Sequence, residues 1–188
     1  KIELHDDDGN PVGVGEEGRI AIRTRDPSPV GLFMEYLDDP EATAKVFVGD
    51  WYYTGDKAIM DEDGYFWFQG RDDDIIKSSG YRISPAEVES ALMTHPCVKE
   101  SAVVGSPDPI RGVIVKAFIC LKDGWTGSDD LIRELQNHVK TTTAPYKYPR
   151  AIEFVEELPK TISGKVRRVE LRDREIQRYK EQNEHQDE

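Results

Sequence analysis

The chain has 188 residues, 37% of them hydrophobic and 33% charged, a globular balance rather than a disordered one, sufficient for one ordinary domain or two small ones. Its formal charge of −12 argues against general nucleic-acid binding, and no apolar run approaches the roughly 18 residues a membrane span requires. Cys97 and Cys120 define no disulfide framework and read as reduced core thiols. The four histidines, at 5, 95, 138 and 185, lack metal-ligand spacing, so no metal site is expected.

The charge is uneven. Residues 1–63 carry 6 Lys/Arg against 16 Asp/Glu, a net of −10, whereas residues 140–178 carry 10 against 6, a net of +4. A basic C-terminal stretch on an acidic chain suits the handling of an anionic small molecule, and equally suits a solvated surface.

Residues 1–4 read as a strand from the outset, without initiator Met or apolar leader, so the expectation is a chain that begins inside a larger protein. Asp8-Gly9-Asn10-Pro11 marks a turn. Residues 19–24 alternate polar and apolar side chains with period 2, the pattern of a half-buried strand. Two aromatic runs, 51–54 and 65–68, have high strand propensity, and Asp61-Glu62-Asp63-Gly64 between them is a hairpin turn signal. The acidic turns lack the spacing of a calcium loop.

After Asp73 helices and strands alternate. Ser84-Pro85-Ala86-Glu87 predicts a helix start with a capping box; Val88, Ala91 and Leu92 supply its apolar face, and Pro96 its end. Strands follow at 101–104 and 113–121, the second interrupted by Lys116. Ser128 caps a second helix with Asp129 and Asp130 in its first turn and Leu131, Leu135 and Val139 on its buried face. Residues 151–155 are a further strand, and a charged helix begins near Val169, fraying after Tyr179. The predicted organisation is α+β: a β-rich part over 1–72 and a small α+β domain over 73–188, joined by a hinge.

Four segments carry candidate chemistry. Leu158-Pro159-Lys160-Thr161-Ile162-Ser163-Gly164-Lys165-Val166-Arg167-Arg168 is a flexible basic loop able to present a lysine to an anion with its backbone N–H groups free; it lacks the glycine spacing of a phosphate-cradling P-loop. Tyr53-Thr54-Gly55-Asp56 reads as a turn after an aromatic strand, its carboxylate suited to a ribose diol. Gly70-Arg71-Asp72-Asp73-Asp74 falls where the texture changes. In Lys77-Ser78-Ser79-Gly80-Tyr81-Arg82 a glycine before a helix permits close backbone approach of a ligand. By itself each also reads as an ordinary feature: an exposed basic loop, a turn, a linker between domains, a loop feeding a helix.

Their order and spacing together resemble the adenylate-forming superfamily of acyl-CoA synthetases, luciferases and peptide-synthetase adenylation domains. The resemblance covers essentially the whole chain, and Thr143-Ala144-Pro145-Tyr146-Lys147-Tyr148-Pro149-Arg150 looks most like the medium-chain acyl-CoA synthetases. It implies the C-terminal part of an AMP-forming ligase, in which a carboxylate attacks the α-phosphate of ATP and CoA thiolate then displaces AMP. The small domain would rotate between the two steps.

Carried over by motif, Lys165 is the catalytic cation of adenylate formation. Asp56 holds the ribose hydroxyls, Arg71 orients the nucleotide and Asp73 is the hinge. Ser79, Gly80 and Tyr81 line the pantetheine channel, Arg82 meets phosphate or acyl-adenylate, and Arg111, Lys140, Tyr148, Pro149 and Arg150 take the CoA nucleotide. The implied ligands are a carboxylic acid of medium chain or aromatic type, ATP, CoA and Mg²⁺ bound with ATP, with oligomeric state left open. The implied location is cytoplasmic, or the mitochondrial matrix in a eukaryote. The ATP-phosphate loop, adenine pocket and acyl pocket lie upstream in this superfamily, so the chain alone is expected to be inactive. Two other readings are an adenylation domain that loads a carrier protein and a non-catalytic binding module of the same fold.

Overall fold

The computed structural model describes residues 1–25, 27 and 29–184, which divide into two compact units, Lys1–Asp73 and Asp74–Glu188. His185 and the last three residues lie outside the described residues.

The first unit is a sheet with one short helix. Its elements are β1 (Ile2–His5), β2 (Glu17–Arg23), α1 (Pro40–Val46), β3 (Phe47–Val48), β4 (Trp51–Met60) and β5 (Phe66–Arg71). β2 lies between β1 and β4, antiparallel to both, and β3 and β5 pair with different stretches of β4. Asp61 organises the β4–β5 hairpin turn, accepting hydrogen bonds from the backbone of Asp63 and Tyr65 and from the Trp67 indole at 2.7 Å. That engagement accounts for the acidic turn through the chain itself.

Two expectations are corrected here. Period-2 reading puts Ile20 and Ile22 on the buried face of β2, yet Ala21 is the fully buried residue and the two isoleucines are half-buried. A break in register between Arg19 and Ala21 explains the change, since a bulge re-aims side chains and both faces become partly covered. Residues 53–56 are not a turn after a strand but the middle of β4. Pairing with β2 passes from Arg19↔Lys57 directly to Ala21↔Tyr53, so Thr54, Gly55 and Asp56 form a bulge, with Gly55 at φ +82°.

The second unit comprises β6 (Ile76–Ser78), β7 (Tyr81–Ile83), α2 (Pro85–Met93), β8 (Val98–Asp108), β9 (Gly112–Leu121), α3 (Asp129–Thr142), β10 (Ala151–Phe154) and α4 (Arg168–Glu184). β9 is central, antiparallel to β8 and parallel to β10. Alternation along it supplies two cores. Val115, Ala117 and Ile119 join Val88, Leu92, Leu131, Leu135 and Val139 of α2 and α3. Phe118 and Cys120 join Ala102, Val104, Leu158 and Leu171 of α4. A strand covered on both faces reads as a nearly continuous apolar run, and each large side chain buried this way stabilises the fold by about 1.5–3 kcal/mol.

Lys116 does not interrupt that strand. It is buried beneath α4, with Nζ 2.7 Å from Glu175 and 2.8 Å from Glu153. Ser106 also donates to Glu175 at 2.9 Å. The capping box at α2 is absent: Ser84 occupies the N-cap without a capping hydrogen bond, and Glu87 receives Lys147 at 2.6 and 2.7 Å instead. A full ionic partner outcompetes a single backbone N–H. Ser128 does cap α3, accepting from Leu131 N. α4 continues through Glu184, beyond the expected fraying point.

Candidate functional site

Lys165 stands on a closed hairpin. An isolated bridge joins Lys160 and Val166. Thr161 N donates to Lys165 O at 2.8 Å, Gly164 N to Thr161 O at 2.9 Å, and Lys165 N to Thr161 Oγ1 at 3.1 Å. The free backbone donors expected of this loop are therefore engaged at Gly164 and Lys165: in a tight turn the nearest acceptor is the chain itself. What the hairpin offers is a shaped tip. The Lys165 side chain is exposed, beside an open hollow lined by Lys160, Thr161, Ile162, Ser163 and Arg167. Thr161, whose hydroxyl also meets Ser163 Oγ at 2.9 Å, is the organiser that sequence reading missed.

Most of the basic stretch around Lys165 is neutralised internally. Lys147 is held by Glu87, Lys160 by Glu100, and Arg174 and Arg178 by Glu153. Arg168 forks onto Glu89 at 2.9 and 2.5 Å. Among the described residues Lys165 forms no ion pair, so at the hairpin its ammonium is the cation not matched by a carboxylate.

In the first unit, Asp56 and Arg71 are register partners across β4 and β5. Arg71 Nη1 lies 3.3 Å from Asp56 Oδ1, and its Nε and Nη2 meet the carboxylate of Asp73 at 2.9 and 3.4 Å. The expected ribose, nucleotide and hinge residues are thus one contiguous group. Lys57, which sequence reading passed over, is buried with Nζ 3.0 Å from Asp72 Oδ1, bracing the same segment.

The expected CoA residues form two groups and a remainder. Ser79 and Gly80 are the two-residue turn of the β6–β7 hairpin, both with positive φ, 48° and 84°, the backbone of a type I′ turn rather than a loop feeding the helix. Arg111 Nη1 donates to Ser79 Oγ at 3.2 Å. The Tyr81 ring stacks on Tyr146 of the 3₁₀ turn Pro145–Lys147, centroids 4.3 Å apart at 19°; Tyr146 belongs to the segment that carried the resemblance but was given no site role there. The second group is Tyr148, with Lys140 Nζ 4.1 Å and the Arg150 guanidinium 5.0 Å from its ring centre, and Arg150 Nη1 donating to Tyr148 Oη at 2.9 Å. Arg82 is an exposed member of β7, opposite Lys77. Pro149 is fully buried, its carbonyl accepting from Gln136 Nε2 at 3.1 Å, so its side chain serves packing while Tyr148 and Arg150 remain accessible.

Asp56 and Asp73 are turned onto Arg71, and Asp72 onto Lys57. Among the described residues no group of three His, Cys, Asp or Glu is arranged to hold a metal ion.

Residues 87–165 match the AMP-binding enzyme C-terminal domain. Over 176 residues, 93% of this chain, the sequence is 60% identical to acyl-coenzyme A synthetase ACSM5, mitochondrial, of Rattus norvegicus and to acyl-coenzyme A synthetase ACSM1, mitochondrial, of Homo sapiens. The chain spans 30% of the length of each. Among solved structures, the anthranilate CoA ligase AuaEII in complex with anthranoyl-AMP is 43% identical with a TM-score of 0.80, covering 93% of this chain and 33% of that one. The benzoate CoA ligase from Burkholderia xenovorans LB400 is 40% identical with a TM-score of 0.76, covering 92% and 33%.

Proposed function

We propose that the chain, whose residues 87–165 match the AMP-binding enzyme C-terminal domain and whose sequence is similar to acyl-coenzyme A synthetases and CoA ligases, serves as the C-terminal part of an ATP-dependent acyl-CoA synthetase. The whole reaction joins a carboxylic acid to CoA in two steps. A carboxylate oxygen attacks the α-phosphorus of ATP and pyrophosphate leaves; the CoA thiolate then attacks the acyl carbon of the adenylate and AMP leaves. The names of the relatives support an acyl or aromatic acid and a mitochondrial location, and the medium-chain reading rests on the resemblance carried by residues 143–150. Mg²⁺ enters with ATP, held by residues outside this chain.

The observation that carries this reading is the lysine tip. Negative charge accumulates on the α-phosphate and the attacking carboxylate in the first transition state, and a preformed cation there offsets it. Lys165 supplies that cation from an exposed hairpin whose neighbouring cations are already paired. One unit-charge contact near 4 Å is worth about 4 kcal/mol at an effective dielectric of 20, roughly three decades in rate if made only in the transition state. Asp56 and Arg71 act as the nucleotide clamp, Asp73 as the hinge. Ser79, Gly80, Tyr81 and Arg111, with Lys140, Tyr148 and Arg150, receive CoA.

Lys165→Ala in the full-length protein tests the assignment. ATP–pyrophosphate exchange is expected to collapse, while thioester formation from supplied acyl-adenylate persists. Equal loss of both half-reactions would remove Lys165 from this role, and acyl transfer to a carrier protein but not to CoA would favour the carrier-loading reading.

A further inference from the structure

Three elements of the second unit converge on one side chain three residues beyond Lys165. Arg168 opens α4 and forks onto Glu89 of α2, Nε to Oε1 at 2.9 Å and Nη2 to Oε2 at 2.5 Å. Its Nη1 reaches Asp74 Oδ2 at 3.4 Å. Glu89 Oε1 also accepts from the backbone N–H of Val103 at 2.8 Å, in the edge strand β8. Both carboxylate side chains are only 13% exposed, and Arg172 Nη1 adds a longer contact to Asp74, at 3.9 Å.

The placement of this node bears on Lys165. Asp74 is the first residue of the second unit. At the other end, Arg167 N donates to Pro159 O at 2.8 Å and closes the base of the lysine hairpin. Arg168 therefore joins the root of the hairpin to the residue where the unit's backbone begins. The hairpin's internal hydrogen bonds fix its shape, while its direction is set where it is held to the rest of the unit: on one arm by Lys160 on Glu100 and buried Leu158, and on the other by the start of α4. A guanidinium fork restrains direction as well as distance, which a lysine ammonium does not.

We infer that Arg168 is a positioning residue for Lys165, clamping the base of the lysine hairpin to Glu89 and Asp74 so that the lysine is aimed by the opening backbone of its own unit. This rests on the adenylate-forming activity proposed above. Misplacing a reacting group by about 1 Å costs on the order of 10²-fold in rate, so the clamp matters to the step that uses Lys165 and little to the step that does not.

The test uses the full-length protein with Arg168→Met, Arg168→Lys and Asp74→Asn, assayed for ATP–pyrophosphate exchange, for thioester formation from supplied acyl-adenylate, and for Tm. For Arg168→Met the exchange kcat is expected to fall by about 10²-fold with KM for ATP little changed and the thioester step near wild type. Arg168→Lys should recover part of the loss. Asp74→Asn, which keeps the Glu89 fork and so guards against a variant that fails to fold, should show a smaller loss confined to exchange. Parallel loss of both half-reactions that tracks Tm would make Arg168 a fold staple only and overturn the inference, as would a folded Arg168→Met with unimpaired exchange. An inactive wild type would sink the proposed activity and this inference together, whereas an active wild type with indifferent variants sinks the inference alone.

Discussion

Gly55 and Arg71 are fitted to each other: a methyl group on Gly55 would lie 2.7 Å from Arg71 Nη2. Gly55 also has φ +82°, a conformation that costs an L-residue about 1–2 kcal/mol. Two independent constraints thus require glycine at the bulge that brings Asp56 opposite Arg71. Gly55→Ala should lower the stability of the first unit by at least that amount and displace the guanidinium. The expected readout in the full-length protein is a raised KM for ATP, with a lowered midpoint in urea; an unchanged KM would separate Arg71 from nucleotide binding.

Tyr148 stands between the cations of Lys140 and Arg150. If this group receives the CoA nucleotide, Tyr148→Leu removes the surface on which both cations rest. Each cation–π contact is worth about 0.5–1 kcal/mol at an exposed site, so KM for CoA should rise by roughly tenfold while pyrophosphate exchange stays intact. Tyr148→Phe keeps the ring, loses only the Arg150 hydrogen bond, and should sit between the two.

Lys116 and Glu175 form a buried ion pair beneath α4. Without Lys116 the buried Glu175 keeps only Ser106 at 2.9 Å and a longer contact from Arg178 at 3.3 Å, and losing one partner of a buried pair costs up to about 3–5 kcal/mol. Lys116→Met alone should therefore destabilise the protein strongly. Lys116→Met combined with Glu175→Leu should recover much of the loss, as measured by urea unfolding. Additive losses in the double variant would contradict the pairing.

Acid should loosen the same region. Burial opposes ionisation of Glu153 most strongly, yet hydrogen bonds from Lys116 and Arg178 outweigh it and hold the carboxyl below the usual carboxylate range. A carboxyl whose folded pKa is depressed contributes stability above its unfolded value, about 4.3, and that contribution is lost as pH falls through the lower folded value. Unfolding free energy should thus fall as pH drops below about 4.3. The slope should be shallower in Glu153→Gln, which has no proton to take up.

Burial pushes the thiols of Cys97 and Cys120 up, reinforced by the charges of Glu134 and Glu100 respectively. Both remain protonated at neutral pH and enclosed. Neither should react with a thiol reagent at pH 7 until denaturant opens the fold; rapid native-state labelling of either would refute this.

Local signals were the legible ones. The Ser128 cap and the Leu131–Leu135–Val139 stripe depend on residues within three or four positions and appear as read. The Asp39-Pro40-Glu41 start of α1 is equally local, with Asp39 Oδ1 accepting from Ala42 N at 2.9 Å, and it was readable but overshadowed by the aromatic strands after it. Wherever a distant partner competes, local reading fails. Glu87 leaves its cap for Lys147, 60 residues away.

By itself, then, the sequence carried the resemblance and the spacing of its motifs, because four ordered segments and the periodicity of β9, α2 and α3 are properties of neighbours along the chain. Only the tertiary structure decided what the charges do. It buries Lys116 and spends Arg168, Lys147 and Lys160 on internal carboxylates. It turns residues 54–56 into a bulge that brings Asp56 opposite Arg71 and leaves Lys165 exposed on a hairpin. The physical reason is that an ion pair is set by proximity in space, and composition counts charges without saying which of them have met.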